Sequence, residues 1–200
     1  MSDDAIADAL AATGFAIAPD FVSRDDASAL RGEALRRRAG GEFHAARVGR
    51  ADSLLRDAAI RSDAICWLDA DAASAPERAL LARFDALRLA LNRALFLGLA
   101  ELEAHYACYA PGAGYARHLD RFRDDDARAI SLVLYLNPHW RDEDGGALRL
   151  YSSAEAREPV LEVAPRGGTL VALRSETIAH EVLAARAERF SVAGWLRRRA

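Results

Sequence analysis

A chain of 200 residues that is 52% hydrophobic and 28% charged, with a net charge of −3, has the composition of a globular protein and not of a disordered or nucleic-acid-coating one. All its basic residues are Arg, and Cys66 and Cys108 are its only cysteines, with no Cys/His cluster of zinc-finger spacing, so neither a disulfide framework nor structural zinc is expected. The start MSDDAIADAL is acidic where a secretion signal is basic, and no run reaches the ~18 apolar residues of a membrane span. The expectation is one cytoplasmic domain over residues 1–200 with no membrane and no nucleic-acid partner, its oligomeric state unspecified.

Ala5, Ile6, Ala9 and Leu10 form a helical stripe that Gly14 can end, and FAIAPDFV follows as a short strand. SRDDASALRGEALRRRAGG opens on a Ser23/Asp26 capping box and stops at Gly40 and Gly41, and His44 then falls in a surface loop or strand. The strongest helix begins at SAPERALL, with Ser74 and Glu77 as a capping box and Pro76 in the first turn. Leu80, Leu81, Phe84, Leu87, Leu91 and Leu95 make it a broad apolar face that must lie on something, most simply a sheet. From about residue 103 the period becomes two. EAHYACYA, AISLVLYLN, ALRLYSS, EPVLEVAP, GTLVALRS, AHEVLA and RFSVAGWLRR read as strands between Gly/Pro turns. The expected class is therefore α+β: helical support over about 1–102, packed on one outer face of a sandwich, barrel or jelly roll over about 103–200.

In GYARHLDRF, a strand would send His118 and Asp120 to one side and Leu119 to the other. Two ligands hold a transition metal poorly, so a third is sought among His44, His105, His139 and His180. His180, on a late strand, is best placed to return alongside. Two imidazoles and a carboxylate on one side of an ion leave its other positions open, as in non-haem Fe(II) oxygenases. Arg189 shares a strand face with Ser191, Ala193 and Trp195; an inward guanidinium there calls for an anion, and a carboxylate matches its fork. A surface Asp or Glu is the competing partner. Trp195 is expected to fill core beside this pocket, and His105 and His139 have no evident partner.

The run YACYAPGAGYARHLD, then SLVLYLNPHW, GGALRLY, GTLVALRS, HEV and RFSVAGW, resembles the 2-oxoglutarate and Fe(II)-dependent dioxygenase superfamily. Within it the match is to the prolyl 4-hydroxylase group, which includes the animal HIF prolyl hydroxylases and their bacterial relatives. The resemblance spans residues 103 to 197. It implies a double-stranded β-helix (jelly-roll) core, with His118, Asp120 and His180 on Fe(II). It implies Arg189 and Tyr135 on the distal carboxylate of 2-oxoglutarate and Tyr109 lining the cosubstrate pocket. Dioxygen, and ascorbate as a reductant, belong to the same reaction. The implied substrate is a protein with a target proline, a translation elongation factor being one candidate. A free amino acid, a small metabolite or a non-catalytic sensing module are the alternatives. The turn before Tyr115 is one residue shorter than in the animal enzymes, and ETIAHEV lacks their Asn-Pro. By the same resemblance, residues 59–76, with Arg61 and Asp63, correspond to a mobile substrate-covering loop.

Overall fold

Strands dominate the second half because its side chains alternate between two environments. In the computed structural model, which describes residues 1–46, 60–121 and 127–199, this alternation is realised by two facing antiparallel sheets. The helices are α1 (Asp3–Thr13), α2 (Arg24–Ala39) and α3 (Ala75–Leu95). The strands are β1 (Phe15–Ala18), β2 (His44–Ala45), β3 (Ala64–Trp67), β4 (Leu99–Tyr109), β5 (Tyr115–His118) and β6 (Arg128–Tyr135), followed by β7 (Leu148–Tyr151), β8 (Leu161–Val163), β9 (Leu170–Arg174), β10 (Ala179–Val182) and β11 (Arg189–Arg198). The major sheet runs β1-β9-β6-β11-β4-β3-β2 and the minor sheet β5-β10-β7-β8, the layout of an α+β jelly roll.

The major sheet divides its residues by parity. Tyr106 and Cys108 of β4, Leu132 and Leu134 of β6, and Phe190, Val192 and Leu196 of β11 pack with Leu10, Leu30, Phe84, Leu87 and Leu91 of the helices. Their neighbours Ala107, Tyr109, Val133 and Tyr135 instead meet Leu148, Leu150, Val163 and Val182 inside the sandwich. The broad leucine face of α3 thus lies on a sheet, as its width required. Ser23 Oγ accepts from the Asp26 N–H, but its hydroxyl donates to the Asp26 carboxylate, so only half of the expected box forms. At α3, Glu77 accepts from the Ser74 N–H at 2.7 Å while Arg37 of α2 grips the same carboxylate at 2.7 and 3.0 Å. Glu77 is 0% exposed, so this pair is a buried link between two helices.

Residues 60–76 correct the expectation of a covering loop. Ala64–Trp67 form β3 and pair with β4 from Ala64 opposite Cys108 to Trp67 opposite His105, and α3 begins at Ala75. Burial of Ile65 and Cys66 on the two faces of the sheet holds this segment. Residue 59 lies outside the described residues. No helix among the described residues is long and apolar enough to cross a membrane.

Losing Arg37 would leave a carboxylate buried without a cation, at a cost of about 3–5 kcal/mol. Arg37→Met is therefore expected to lower the melting temperature by on the order of 10 °C in a thermal scan. Burial alone would raise the Glu77 carboxyl, but the Arg37 and Ser74 bonds outweigh it and hold it below its ordinary range. A depressed carboxyl stabilises the fold above its unfolded value and ceases to as pH falls through the folded one. The stability gap between wild type and Glu77→Gln should accordingly narrow below pH about 4.

Candidate active site

The antiparallel pairing of β5 with β10 places His118 directly opposite His180, two residues far apart in sequence. β5 ends at His118, so Asp120 stands in the turn beyond it and not on the strand expected from the alternation. It converges all the same: Asp120 Oδ1 lies 3.5 Å from His118 Nε2, and Oδ2 lies 3.5 Å from His180 Nε2. One ligand atom from each of the three falls within 4.8 Å of the others. Each ring is pinned by its far nitrogen. His118 Nδ1–H donates to the Ala116 carbonyl at 2.8 Å and His180 Nδ1–H to the Ile178 carbonyl at 3.2 Å. Because a carbonyl only accepts, Nδ1 of each ring is the donor, and the Nε2 atom of each is left facing Asp120. Tyr115 stacks on His118 at 3.6 Å and 15°. Burial, then the neighbouring His118, pushes His180 down to about 4, so it is a neutral imidazole. Burial would raise Asp120, but His180 and His118 outweigh it and hold the carboxyl well below its ordinary value.

The major sheet supplies the opposite wall. Arg189 sits across from Tyr109 on β4, and Tyr135 on β6 sits across from Ser191. The Arg189 guanidinium lies 4.8 Å from the Tyr109 ring centroid and 5.1 Å from that of Tyr135. It is 1% exposed, its Nη1 reaches Ser191 Oγ at 3.4 Å, and its Nε has no hydrogen-bond partner among the described residues. Among the described residues no carboxylate pairs with it, so the surface Asp or Glu considered from sequence is not its partner. Tyr135 Oη is likewise buried without a partner. Burial, only partly offset by Arg189, pushes this phenol up to about 12, and burial raises Tyr109 as well. Both remain neutral donors. The cavity between the walls is bordered by all three of His118, Asp120 and His180, and by Arg189 and Tyr109.

Two residues at this cavity, Arg61 and His105, were not foreseen in these roles. Arg61, bridged to Tyr115 and lying 4.8 Å over its ring, holds the buried Asp63 through bonds of 2.7 and 2.9 Å. His105 is 1% exposed and borders the same cavity. Its signal was available: His105 shares the β4 face of Tyr109, four residues on, and a residue that far along a strand looks the same way. Trp195 borders the cavity as expected, whereas His44 is exposed on β2 and His139 borders a different cavity.

A family model described as the 2OG-Fe(II) oxygenase superfamily matches residues 104–197. A prolyl-4-hydroxylase of Pseudomonas putida is 43% identical, with a TM-score of 0.88 and 100% of each chain covered. A prolyl hydroxylase in complex with a hypoxia inducible factor oxygen degradation domain peptide fragment, from Trichoplax adhaerens, is 26% identical with a TM-score of 0.86, covering 98% of this chain and 88% of that one. The non-haem alpha ketoglutarate dependent epimerase SnoN, from nogalamycin biosynthesis, shares the fold at 16% identity and a TM-score of 0.69, covering 98% of this chain and 83% of its own. The fold thus carries more than one reaction, and the identity of residues across a whole relative narrows it. On that likeness and the family match, the chain belongs to the 2-oxoglutarate and Fe(II)-dependent oxygenase superfamily, in its prolyl 4-hydroxylase group.

Proposed function

We propose that this protein hydroxylates a prolyl residue of a protein at C4, converting 2-oxoglutarate and dioxygen to succinate and carbon dioxide, with ascorbate as auxiliary reductant. The observation that carries the reading is the presence in one cavity of the His118, Asp120 and His180 cluster and a buried guanidinium, Arg189, without a carboxylate of its own. Likeness to the Pseudomonas putida prolyl-4-hydroxylase supports the prolyl target, and the peptide bound to the Trichoplax adhaerens relative supports a protein substrate. A translation elongation factor is the candidate target.

The residues fit the metal and cosubstrate of the superfamily. Two imidazoles and a carboxylate on one side suit Fe(II) and leave positions open. The Arg189 fork suits a carboxylate in bidentate geometry, and the Tyr135 hydroxyl can donate to the same anion. Bound there, Fe(II) and 2-oxoglutarate supply the oxidation: dioxygen gives one atom to succinate and the other to the substrate C–H bond, and carbon dioxide leaves.

The chain's own part is placement and exclusion of water. Carbonyls of Ala116 and Ile178 engage the two Nδ1 atoms and leave the Nε2 atoms to face the metal position. Tyr109 and Tyr135 flank the guanidinium with π faces, which attract it without neutralising it, so its charge remains available. Val133, Leu148 and Val182 line the space between with apolar surface. That low-polarity lining strengthens each electrostatic contact made inside.

Arg189→Met should raise the KM for 2-oxoglutarate about a hundredfold in a succinate-release assay, since a buried carboxylate loses its charged partner. Iron affinity should be unchanged. His118→Ala and Asp120→Ala should each lose iron binding, read by metal analysis after desalting, and all succinate formation. The proposed function is tested by incubating iron-loaded protein, 2-oxoglutarate and a lysate of the source organism, then searching peptides for one added oxygen on proline. Gain on a prolyl residue of an elongation factor is the expected result. Succinate formation with oxygen appearing only on small molecules would overturn the protein-substrate reading.

A further inference from the structure

His105 stands on the wall opposite the ligand-bearing sheet, and nothing described so far uses it. It pairs across β4 with Trp67 on one side and Ala193 on the other. Its ring meets Trp67 edge-on at 5.0 Å and 80° and lies 5.5 Å from the Trp195 ring at 52°. Its Nδ1 lies 3.0 Å from the Tyr106 carbonyl oxygen, which only accepts, so Nδ1 keeps the proton and Nε2 carries the lone pair. No hydrogen bond reaches that Nε2 among the described residues, although the side chain is 1% exposed and borders the cavity. An acceptor at the border of a cavity with no donor from the described residues is available to a ligand. Trp195, in the same wall, adds a buried indole Nε1–H that also lacks a partner. An unused acceptor and an unused donor on neighbouring rings match the N–H and C=O of a peptide group.

Position and charge narrow the ligand. His105 is four residues from Tyr109 along β4, about 13 Å at ~3.3 Å per residue, beyond the span of a five-carbon diacid anchored at Arg189. It therefore belongs to the substrate's part of the cavity. Burial, then Arg61, with a further contribution from Arg128, pushes His105 down to about 4 against the opposing pull of Asp63. The burial that keeps a proton off Nε2 also disfavours bringing an ammonium beside it, so the donor that suits it is a neutral N–H.

We propose that His105 Nε2 accepts a hydrogen bond from a peptide N–H beside the oxidised residue, with the Trp195 indole N–H as the neighbouring donor to a peptide carbonyl. The site thereby reads backbone amide and selects a peptide over a free amino acid. This rests on the reading of the site as a prolyl hydroxylase. His105 acts here as a specificity residue that touches substrate and leaves the iron and 2-oxoglutarate positions alone.

The test uses the iron-loaded full chain and an arrayed library of terminally blocked peptides with a central proline, with free L-proline as a second probe. Each is assayed for one added oxygen by mass spectrometry. His105→Phe keeps the ring and removes the acceptor; it should lower kcat/KM for the peptides about tenfold to a hundredfold. The KM for 2-oxoglutarate and the melting temperature should stay at wild-type values. His105→Gln, which restores an acceptor, should recover part of the loss. Equal peptide turnover by wild type and His105→Phe would overturn the inference and leave the prolyl hydroxylase reading standing, as would a loss that His105→Gln does not relieve. Wild-type oxidation of none of the blocked peptides would overturn the prolyl-peptide reading, and the inference with it, whatever happens to free L-proline.

Discussion

The cross-strand pair His118–His180 is the constraint on which the cavity depends. Both strands are only four residues long, so little ladder fixes their register directly. A slip of one residue would turn Ala179 or Glu181 toward the cavity in place of the histidine. The register is fixed from the other side: β10 pairs with β7 over four consecutive residues, and β7 pairs with β8. At the mouth of β5, Gly114 lets the two strands close, since a Cβ there would stand 2.8 Å from the Val182 carbonyl oxygen. That contact comes where the β5–β10 register shifts, between His180 and Val182. Sheet pairing brings the imidazoles together, and each ring's own backbone bond then turns it.

Two buried arginines show how the chain separates stability from binding. Arg37 meets Glu77 in a fork of two short bonds and is spent within the fold. Arg189, more deeply buried, has two aromatic faces and a serine hydroxyl but no carboxylate among the described residues. The first guanidinium is balanced by the protein and the second is left for an incoming anion. Near the second, Arg61 is already neutralised by Asp63, so the unbalanced positive charge is concentrated at the Arg189 end of the cavity. Charge placement of this kind orients an asymmetric ligand, anionic end first.

Much of this was legible in the chain itself. Period-two alternation marked β4, β6, β9 and β11 because each has one face on the helices and one in the sandwich, which keeps the pattern regular. The α3 leucines announced a partner sheet because six large apolar residues on one helix face have no other use. The HLD triplet and the inward Arg189 pointed to a metal and an anion, and the resemblance carried by residues 103 to 197 implied the chemistry. What could not be read depends on pairings between distant segments. AICW is too short for periodicity to distinguish a strand from a loop, and it becomes β3 only because β4 offers it an edge. The parity of β4 puts His105 on the face of Tyr109, but its surroundings come from Trp67 and Trp195, one on each neighbouring strand, and these its neighbours in sequence do not reveal. Asp120 converges on the histidines through a turn beyond the end of β5, a local geometry that alternation does not encode.

The parity of β11 has an evolutionary consequence. Phe190, Val192 and Leu196 belong to the helix platform, and the residues interleaved with them, Arg189, Ser191, Ala193 and Trp195, border the cavity. A lineage adapting to a hotter or colder habitat can exchange bulk in the first register while the second is inherited unchanged. One lineage changing its target can do the reverse at Ala193 and Trp195, along the same ten residues. Thermal adaptation and change of substrate thus run on separate tracks laid side by side in a single strand.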